Sequence, residues 1–598
     1  MVGLGRTIIC AAGIAAVTCA HSVAAQDITF RVAGGGELEE KLRNVSLLVA
    51  ADAEDVTDPQ ELLADARAEY GRLIGALYAE ARYGAVINVL VNGTEAARIP
   101  PLARIGRIDS ITVNVDPGPR YRFSQTRIDP LAPGTELPDG FAVREPARSP
   151  IIEDAAAAAV GGWRDVGMAK AEIADQTVVA QHERNTLAVD IDIAPGPRVT
   201  FGNLVLQGDT SVRPERLRAI AGLPTGEVFS PEELNDAARR LRETGVFSSV
   251  ALTEADALGP GNRMDIIAQL AAQKPRRIGF GAEVSTVDGA ALTAFWLHRN
   301  LLGGAERLRF DASVSGIGGQ TDGMDYGIKG RFERPATFNP ETNFFIEGEI
   351  AHLDEPDFES DTASLAFGYT RRVNDALTVS AALGLRYASV TDDAGDTDYL
   401  LVNLPMEGVY DTRDAPLNAT EGFYLKAGLT PFAGLNDATG TGGRLTVDGR
   451  AYLGLGAENR VMLAGRVQAG SILGADLEEV PNDYRFYSGG GGTVRGTEYQ
   501  SLGVTLDNGV DSGGASFVGL QAELRGQVTQ RIGLVGFVDY GIVGRDSFPG
   551  SDSDDQAGAG LGLRYLTPIG PIRLDVAAPV MGDDDNGVEV YVGIGQAF

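Results

Sequence analysis

Arg307-Leu308-Arg309-Phe310-Asp311-Ala312-Ser313-Val314 alternates a charged or hydroxyl side chain with an apolar one at every step. Successive side chains of a strand point to opposite faces. A period of two therefore predicts a strand that is wet on one face and greasy on the other. The rhythm returns along the chain. Phe344, Ile346 and Ile350 alternate with Phe345, Glu347 and Glu349; Leu445, Val447, Ala451 and Leu453 with Thr446, Asp448, Arg450 and Tyr452; Ile572, Leu574 and Val576 with Arg573, Asp575 and Ala577. Roughly 16 such runs fill residues 277–598, about 20 residues each with its connection, and about 9–11 residues suffice for a tilted membrane-spanning strand. A soluble β-sandwich also alternates, so the connections must decide.

Those connections differ by turns. One set reads as longer and acidic: Asp354-Glu355-Pro356-Asp357-Phe358-Glu359, Asp392-Asp393-Ala394-Gly395-Asp396, Ser551-Asp552-Ser553-Asp554-Asp555 and Asp583-Asp584-Asp585. The other reads as short and often holds Arg: Arg371-Arg372-Val373-Asn374-Asp375, Ala457-Glu458-Asn459-Arg460 and Thr529-Gln530-Arg531. Long outer loops and short periplasmic turns are the pattern of a transmembrane barrel, with lipid outside and water inside. The expectation for residues 276–598 is a 16-stranded antiparallel outer-membrane β-barrel with both ends on the periplasmic side.

Before residue 276 the period changes and a repeat appears. Val115-Asp116-Pro117-Gly118-Pro119-Arg120 resembles Ile193-Ala194-Pro195-Gly196-Pro197-Arg198, with a weaker copy at Lys274-Pro275-Arg276. The Pro-Arg steps at 119, 197 and 275 are 78 residues apart each time. Each unit carries helix and strand signals. Ser230-Pro231-Glu232-Glu233 is a helix start, with Pro in the first turn. Leu234, Ala237, Ala238 and Leu241 mark one buried face, and Gly245 is the stop. Ser149-Pro150 to Gly167 and Asp58 to Gly84 are the parallel stretches. The units read as three βααββ modules at 27–118, 119–196 and 197–275, with the first helix of the second weakly marked. Such modules keep exposed strand edges able to accept an added strand; a purely structural role is the alternative.

The first 25 residues read as a signal peptide: Arg6, an uncharged run from Thr7 to Ala20, then small residues suited to cleavage after Ala25. Both cysteines, Cys10 and Cys19, fall inside it, so disulfide and thiol chemistry are not expected after cleavage. No later run of about 18 apolar residues offers a transmembrane helix. Acidic residues outnumber basic ones, 82 to 51, for a net charge of -31, which argues against nucleic acid as a partner. Gly is unusually frequent at 77 of 598 residues, as curved sheets with kinks and bulges require.

Enzymology finds no support. His182, His298 and His352 are scattered without metal-ligand spacing, and Gly558-Ala559-Gly560-Leu561-Gly562 suits a curved strand better than a phosphate loop. The acidic runs at 551–555 and 583–585 read as solvated loops, with Ca²⁺ binding the alternative. No catalytic residue, cofactor or metal site is expected.

One connection departs from the rhythm. About 40 residues separate the strands near Leu473 and Gly514, far beyond a usual loop. They contain Gly489-Gly490-Gly491-Gly492-Thr493-Val494-Arg495-Gly496. An Arg between glycines can enter the lumen and meet acids there, with Glu523 and Asp539 as candidates. A desolvated Arg–carboxylate contact would pin the loop; a mobile surface loop is the alternative.

Here the chain resembles the barrel-assembly superfamily that includes BamA, TamA and the two-partner secretion transporters. Val494-Arg495-Gly496 resembles the superfamily's Val-Arg-Gly-aromatic signature, with Thr497 at the aromatic position and Tyr499 as its substitute. Glu523 and Asp539 match the lumen acids that receive the Arg. Asp411-Thr412-Arg413-Asp414-Ala415-Pro416 with Thr420 and Gly422, and Leu563-Arg564-Tyr565-Leu566-Thr567-Pro568-Ile569-Gly570-Pro571-Ile572-Arg573, resemble shared turns. Ile594-Gly595-Gln596-Ala597-Phe598 resembles the aromatic-ended last strand that serves as an insertion signal.

The resemblance implies POTRA domains in the periplasm and a barrel in the outer membrane of a Gram-negative cell. It implies unfolded β-barrel clients, autotransporters among them, and insertion through a seam between the first strand (about 278–287) and the last (588–598). Ile278, Phe280, Gly593, Gly595 and Phe598 are the expected gate and insertion-signal residues. Three repeats point to the TamA branch, with TamB as inner-membrane partner and lipid as surroundings. A two-partner secretion channel or a passive porin is the competing class.

Overall fold

Strand pairing in the computed structural model builds three small sheets and one closed barrel. The structure describes residues 27–598 apart from 101–102, 104–105, 209, 286–288, 319–322, 457–458, 568–569 and 583–586. The expected signal peptide and the run Asp583–Asp585 lie outside the described residues. Residues through Thr200, with Glu227–Pro231, form one compact unit; Phe201–Gly226 with Glu232–Phe598 form the other.

In the first unit, the strand Asp27–Val32 lies parallel to Ser110–Asp116, which runs antiparallel to Val86–Val91. Three helices accompany this sheet where two were expected: Glu37–Val45, Leu47–Ala53 and Pro59–Ala79. Asp58 starts the longest by accepting from the amides of Gln60 and Glu61, and Pro59 sits where its missing N–H is not needed. Leu62, Leu73 and Leu77 of that helix bury against Val89, Ile111 and Val113.

The second sheet sets Arg122–Asp129 parallel to Thr186–Ala194, with Glu172–Gln181 antiparallel at the edge. It carries one helix, Ser149–Asp165. The helix expected ahead of it is replaced by turns, because Pro130, Pro133, Pro138 and Pro146 punctuate residues 130–148 and each removes a backbone donor.

The third sheet orders Thr200–Gln207, Arg263–Ala272 and Phe247–Glu254, with helices Pro214–Ala221 and Pro231–Glu243. Gly222 and Gly245 follow them in the left-handed region, at φ 60° and 66°, and end each helix.

The barrel closes through 16 strands. Its first is Arg276–Ser285 and its last Glu589–Ile594. The eighth is broken in two, Gly395–Asn403 and Met406–Asp411, both lying between the same neighbours. Pro405 stands at the break, where it supplies no ladder donor. The predicted faces appear as read: Phe310, Val314, Ile346, Ile350, Leu453, Ile572, Leu574 and Val576 are exposed, while Asp575 is fully buried. A greasy outer wall of this extent is stable in lipid and a liability in water. No helix among the described residues is long and apolar enough to cross a membrane.

The loop reading needs correction. Glu355 to Phe358 and Asp392 to Gly395 are tight hairpins, not long loops, because the flanking strands of 14, 15 and 16 residues exceed what the bilayer needs. Conversely, the periplasmic connection between Asp411 and Gly422 is long. It is held by Asp414, which accepts from the amide and the hydroxyl of Thr420.

Candidate functional site

Gly474–Ala515 connects the eleventh strand, Val461–Leu473, to the twelfth, Ser516–Gln527. Val494, Arg495 and Thr497 in this connection are fully buried. Arg495 donates to Asp539 through Nε at 2.7 Å and Nη2 at 3.0 Å, and through Nη1 to Glu523 at 2.8 Å. Its backbone amide also reaches Asp539, at 3.2 Å. These two acids are those read from the sequence, on strands Ser516–Gln527 and Ile532–Gly544.

Sequence reasoning missed a third, Asp575, 3.2 Å from Arg495 Nη1. On the strand Gly570–Met581, it stands 80 residues from Arg495 in sequence, and nothing marks it apart from its place on the inward face of an alternating run. Arg525 pairs with Glu523 at 2.7 Å and Arg564 pairs with Asp575. Three guanidinium groups thus face three carboxylates, and formal charge cancels in a region closed to water. The Arg495 guanidinium carbon also lies 3.6 Å from the centroid of the Phe537 ring.

Gly496 follows at φ 93°, where side chains other than Gly are strained, and a Cβ there would meet the Ala578 amide nitrogen at 2.7 Å. Its N–H donates to the hydroxyl of Tyr591 at 3.0 Å. Tyr591 belongs to the last strand, so the loop touches the barrel's closing element directly.

At that closure the first and last strands share two register pairs among the described residues, Val284 with Val592 and Ser285 with Tyr591. The first strand makes nine pairs with its other neighbour, and the last makes six with its own. An ion pair of 2.8 Å between Glu283 and Arg573 adds a side-chain link. Ile278 and Phe280 lie on the first strand, opposite Trp296 and Ala294 of the second, Ala290–His298, and among the described residues neither is paired with the last; Phe280 is 84% exposed.

Gly593 remains in the last strand, facing Arg573. Gly595 and Phe598, expected within that strand, fall outside it. The strand ends at Ile594, Gly595 takes φ 102°, and the chain turns into the lumen. Phe598 is buried there beside Ala419, Tyr452, Met462 and Ala464.

Residues 300–598 match the Omp85 superfamily domain. The chain belongs to the Omp85 superfamily. Residues 199–269 match a second family model, POTRA, the surface antigen variable number repeat. As an Omp85 protein with a POTRA arm, it resides in the outer membrane with the arm in the periplasm.

The outer membrane protein assembly factor BamA of Nitratidesulfovibrio vulgaris is 24% identical over 438 residues, 70% of this chain and 53% of that protein. The Omp85 chain therefore spans about half the length of that relative. Among solved structures, a BamA from Haemophilus ducreyi lacking POTRA domains 1-3 superposes with a TM-score of 0.61 at 17% identity, covering 79% of this chain and 100% of the other. That likeness establishes a shared fold. CdiB from Acinetobacter baumannii gives a TM-score of 0.48 at 14% identity over 80% of this chain and 90% of its own.

Proposed function

We propose that this protein inserts β-barrel clients, autotransporters among them, into the outer membrane by parting its seam sideways. One observation carries the reading: two register pairs close the barrel where its neighbours use six and nine. Lateral opening there exposes a strand edge to a client strand, and pairing with that client keeps backbone groups satisfied within lipid. Val284 and Ser285 of the first strand, with Tyr591 and Val592 of the last, form the gate; Ile278 and Phe280 form its templating edge. Val494, Arg495 and Gly496 with Glu523 and Asp539 form a lock that fixes the loop against the wall. Free energy comes from client folding and lipid burial.

Residues 27–118, 119–196 and 197–275 act as three POTRA-like units. That number supports a TamA-like role, with a TamB-type inner-membrane partner on the first unit. The ten-residue edge strand Glu172–Gln181 supports capture of extended clients, because nearly every residue along it is exposed.

Depletion followed by a survey of outer-membrane barrels tests the role. Loss of autotransporters and other barrels is expected; an unchanged barrel complement rejects it. A Val284→Cys/Val592→Cys disulfide tests the gate. Oxidation is expected to stop client insertion and reductant to restore it, and full activity of the oxidised form overturns the seam mechanism.

A further inference from the structure

Between the connection Gly474–Ala515 and the lumen face of the tenth and eleventh strands, Thr441–Leu455 and Val461–Leu473, lies a cavity of about 730 Å³. Small-molecule sites fall between about 300 and 1,000 Å³. None of the lining residues belongs to the Arg495 lock, whose carboxylates stand on the twelfth, thirteenth and fifteenth strands. Polar atoms around this cavity lack partners. Asn482 is fully buried, yet neither its Oδ1 nor its Nδ2 bonds to any described residue. Gln468 Oε1 and Gln500 Oε1 are buried and unbonded as well. Asn482 and Gln500 come from the loop, and Gln468 from the wall. Nearly all buried polar atoms of a folded protein find a partner, so this concentration around one cavity points to a ligand. Three amide oxygens and one amide nitrogen call for groups that both donate and accept, which is what hydroxyls do.

The cations lining the cavity differ in their pairing. Lys426 meets Glu407 at 2.8 Å and Arg450 meets Asp448 at 2.8 Å. Arg444 and Arg485 form no ion pair among the described residues. Arg444 donates Nε to the Tyr484 carbonyl at 2.8 Å. Arg485 donates Nε to the Val480 carbonyl at 3.0 Å and Nη1 to the Ser512 hydroxyl. Two guanidinium groups without a carboxylate favour an anion at the cavity, and their planar donors fit phosphate and carboxylate alike. Tyr424, Phe486 and Tyr487 add aromatic rings to the lining, and ring faces suit the C–H faces of a pyranose.

We infer that this cavity binds a soluble sugar carrying an anionic group, with Arg444 and Arg485 taking the anion and the amides of Asn482, Gln468 and Gln500 taking the hydroxyls. The strands of the wall separate the cavity from the membrane, which favours a soluble sugar over the headgroup of a glycolipid. Such a ligand ties Asn482 and Arg485 of the loop to Arg444 and Gln468 of the wall, so its occupancy holds the loop against a part of the barrel that the Arg495 lock does not reach. The site needs only a closed barrel with its loop docked, and does not depend on the insertion role.

Titration of the full-length protein in detergent tests the site, with calorimetry and the heat transition of the folded barrel as readouts. Glucose 6-phosphate is the probe, and glucose and inorganic phosphate each carry only part of its groups. Saturable binding of glucose 6-phosphate is expected, about tenfold or more tighter than either part. The heat transition should rise with it, because a ligand held only by the folded state stabilises that state. Arg444→Gln is expected to bring the affinity for glucose 6-phosphate down to that for glucose. Asn482→Leu is expected to weaken both sugars while the unliganded heat transition stays level or rises, because an unpartnered buried amide is replaced by an apolar group of similar size. A lower unliganded transition in Asn482→Leu would assign that amide a structural role and remove it from the site. Absence of glucose 6-phosphate binding overturns the inference. Inorganic phosphate binding as tightly as glucose 6-phosphate overturns the sugar, and wild-type affinity in both variants overturns the placement in this cavity.

Discussion

Asp539 receives Arg495 in a fork, its Oδ2 2.7 Å from Nε and its Oδ1 3.0 Å from Nη2. Both side chains are fully buried. Paired buried charge is weak evidence of net stabilisation, but removing one partner strands the other, at a cost of about 3–5 kcal/mol. Arg495→Ala is expected to free the loop, with new protease cleavage around Gly489–Gly492 and an earlier heat transition of the folded barrel. Arg495→Lys is expected to fail nearly as badly, because an ammonium cannot fork onto a carboxylate while lying flat on Phe537. Limited proteolysis in detergent checks both; wild-type cleavage kinetics in either variant would refute the lock.

The third sheet's helices meet the barrel's periplasmic turns through arginines. Arg216 donates to the carbonyls of Pro335 and Ala336, and Arg240 pairs with Glu341. Arg239 lies 2.9 Å from Asp375, and Arg372 lies 2.6 Å from Glu243. Exposed pairs contribute little, but Arg216 and Arg240 are partly buried and their partners include backbone carbonyls. Arg216→Ala with Arg240→Ala is expected to cost about 2–4 kcal/mol at this junction. Hydrogen exchange should then rise in Pro335–Glu341 and in the helix Pro214–Ala221, with barrel strands unaffected. Arg239→Ala alone should change neither.

Alternation carried most of the barrel into view, because a period of two reports which face is wet without reference to any neighbour. The same property hid Asp575. An inward acid of one strand looks like every other inward charge until the strands are wrapped into a cylinder and distant positions converge on Arg495. Glu523 and Asp539 were legible because the loop precedes their strands directly and the superfamily signature points to them. The tail was misread for a different reason. Ile594 to Phe598 has the composition of a strand end, and only the backbone angle at Gly595 sends it inward. Helix signals in the arm were local and mostly held, at Asp58-Pro59 and at Gly245. They failed where prolines interrupted residues 130–148, a signal available in the sequence but outweighed by the expectation of a regular repeat. Hairpin lengths were misjudged because acidic residues at 354–359 and 392–396 continue the strands past the membrane instead of ending them.

The arm should show an inverse response to acid at one position. Glu69 is fully buried in the first unit, accepting from the Ser46 hydroxyl at 2.5 Å and the Leu47 amide at 2.9 Å. Burial raises its pKa above the ordinary carboxylate value, outweighing those hydrogen bonds. A carboxyl group whose pKa is higher folded than unfolded stabilises the fold fully below the unfolded value, and that contribution is lost as pH rises through the folded one. Lowering pH from 8 toward the carboxylate range is therefore expected to raise hydrogen-exchange protection, measured against the intrinsic rate at each pH, around Leu42, Leu48 and Leu73. Glu69→Gln should flatten that dependence, since a neutral amide has no proton to gain. Protection that falls on acidification in the wild-type protein would contradict the assignment.

Tyr499 is the ring that packs beside the loop signature, two residues beyond Thr497, and the two positions are expected to be coupled. Thr497 is fully buried and its hydroxyl donates to the Val494 carbonyl at 2.9 Å, so no space remains for a ring there. Tyr499 instead packs against the cluster of Val535, Phe537, Ala577 and Tyr591, with its hydroxyl 3.2 Å from Glu355. Tyr499→Phe keeps the packing and leaves Glu355 without that donor, a loss of about 1–3 kcal/mol in loop anchoring. Tyr499→Ala also empties the packed space, for about 3–5 kcal/mol. Thr497→Phe, which restores the superfamily's aromatic, is expected to destabilise by about 1–3 kcal/mol through overpacking. Combined with Tyr499→Ala it should cost less than the two single changes together, because the vacated volume lies two residues away and the loop can shift into it. A double-mutant cycle on heat stability and loop proteolysis measures the coupling. Strict additivity would mean that the two side chains serve separate contacts, and that Tyr499 does not stand in for the missing ring.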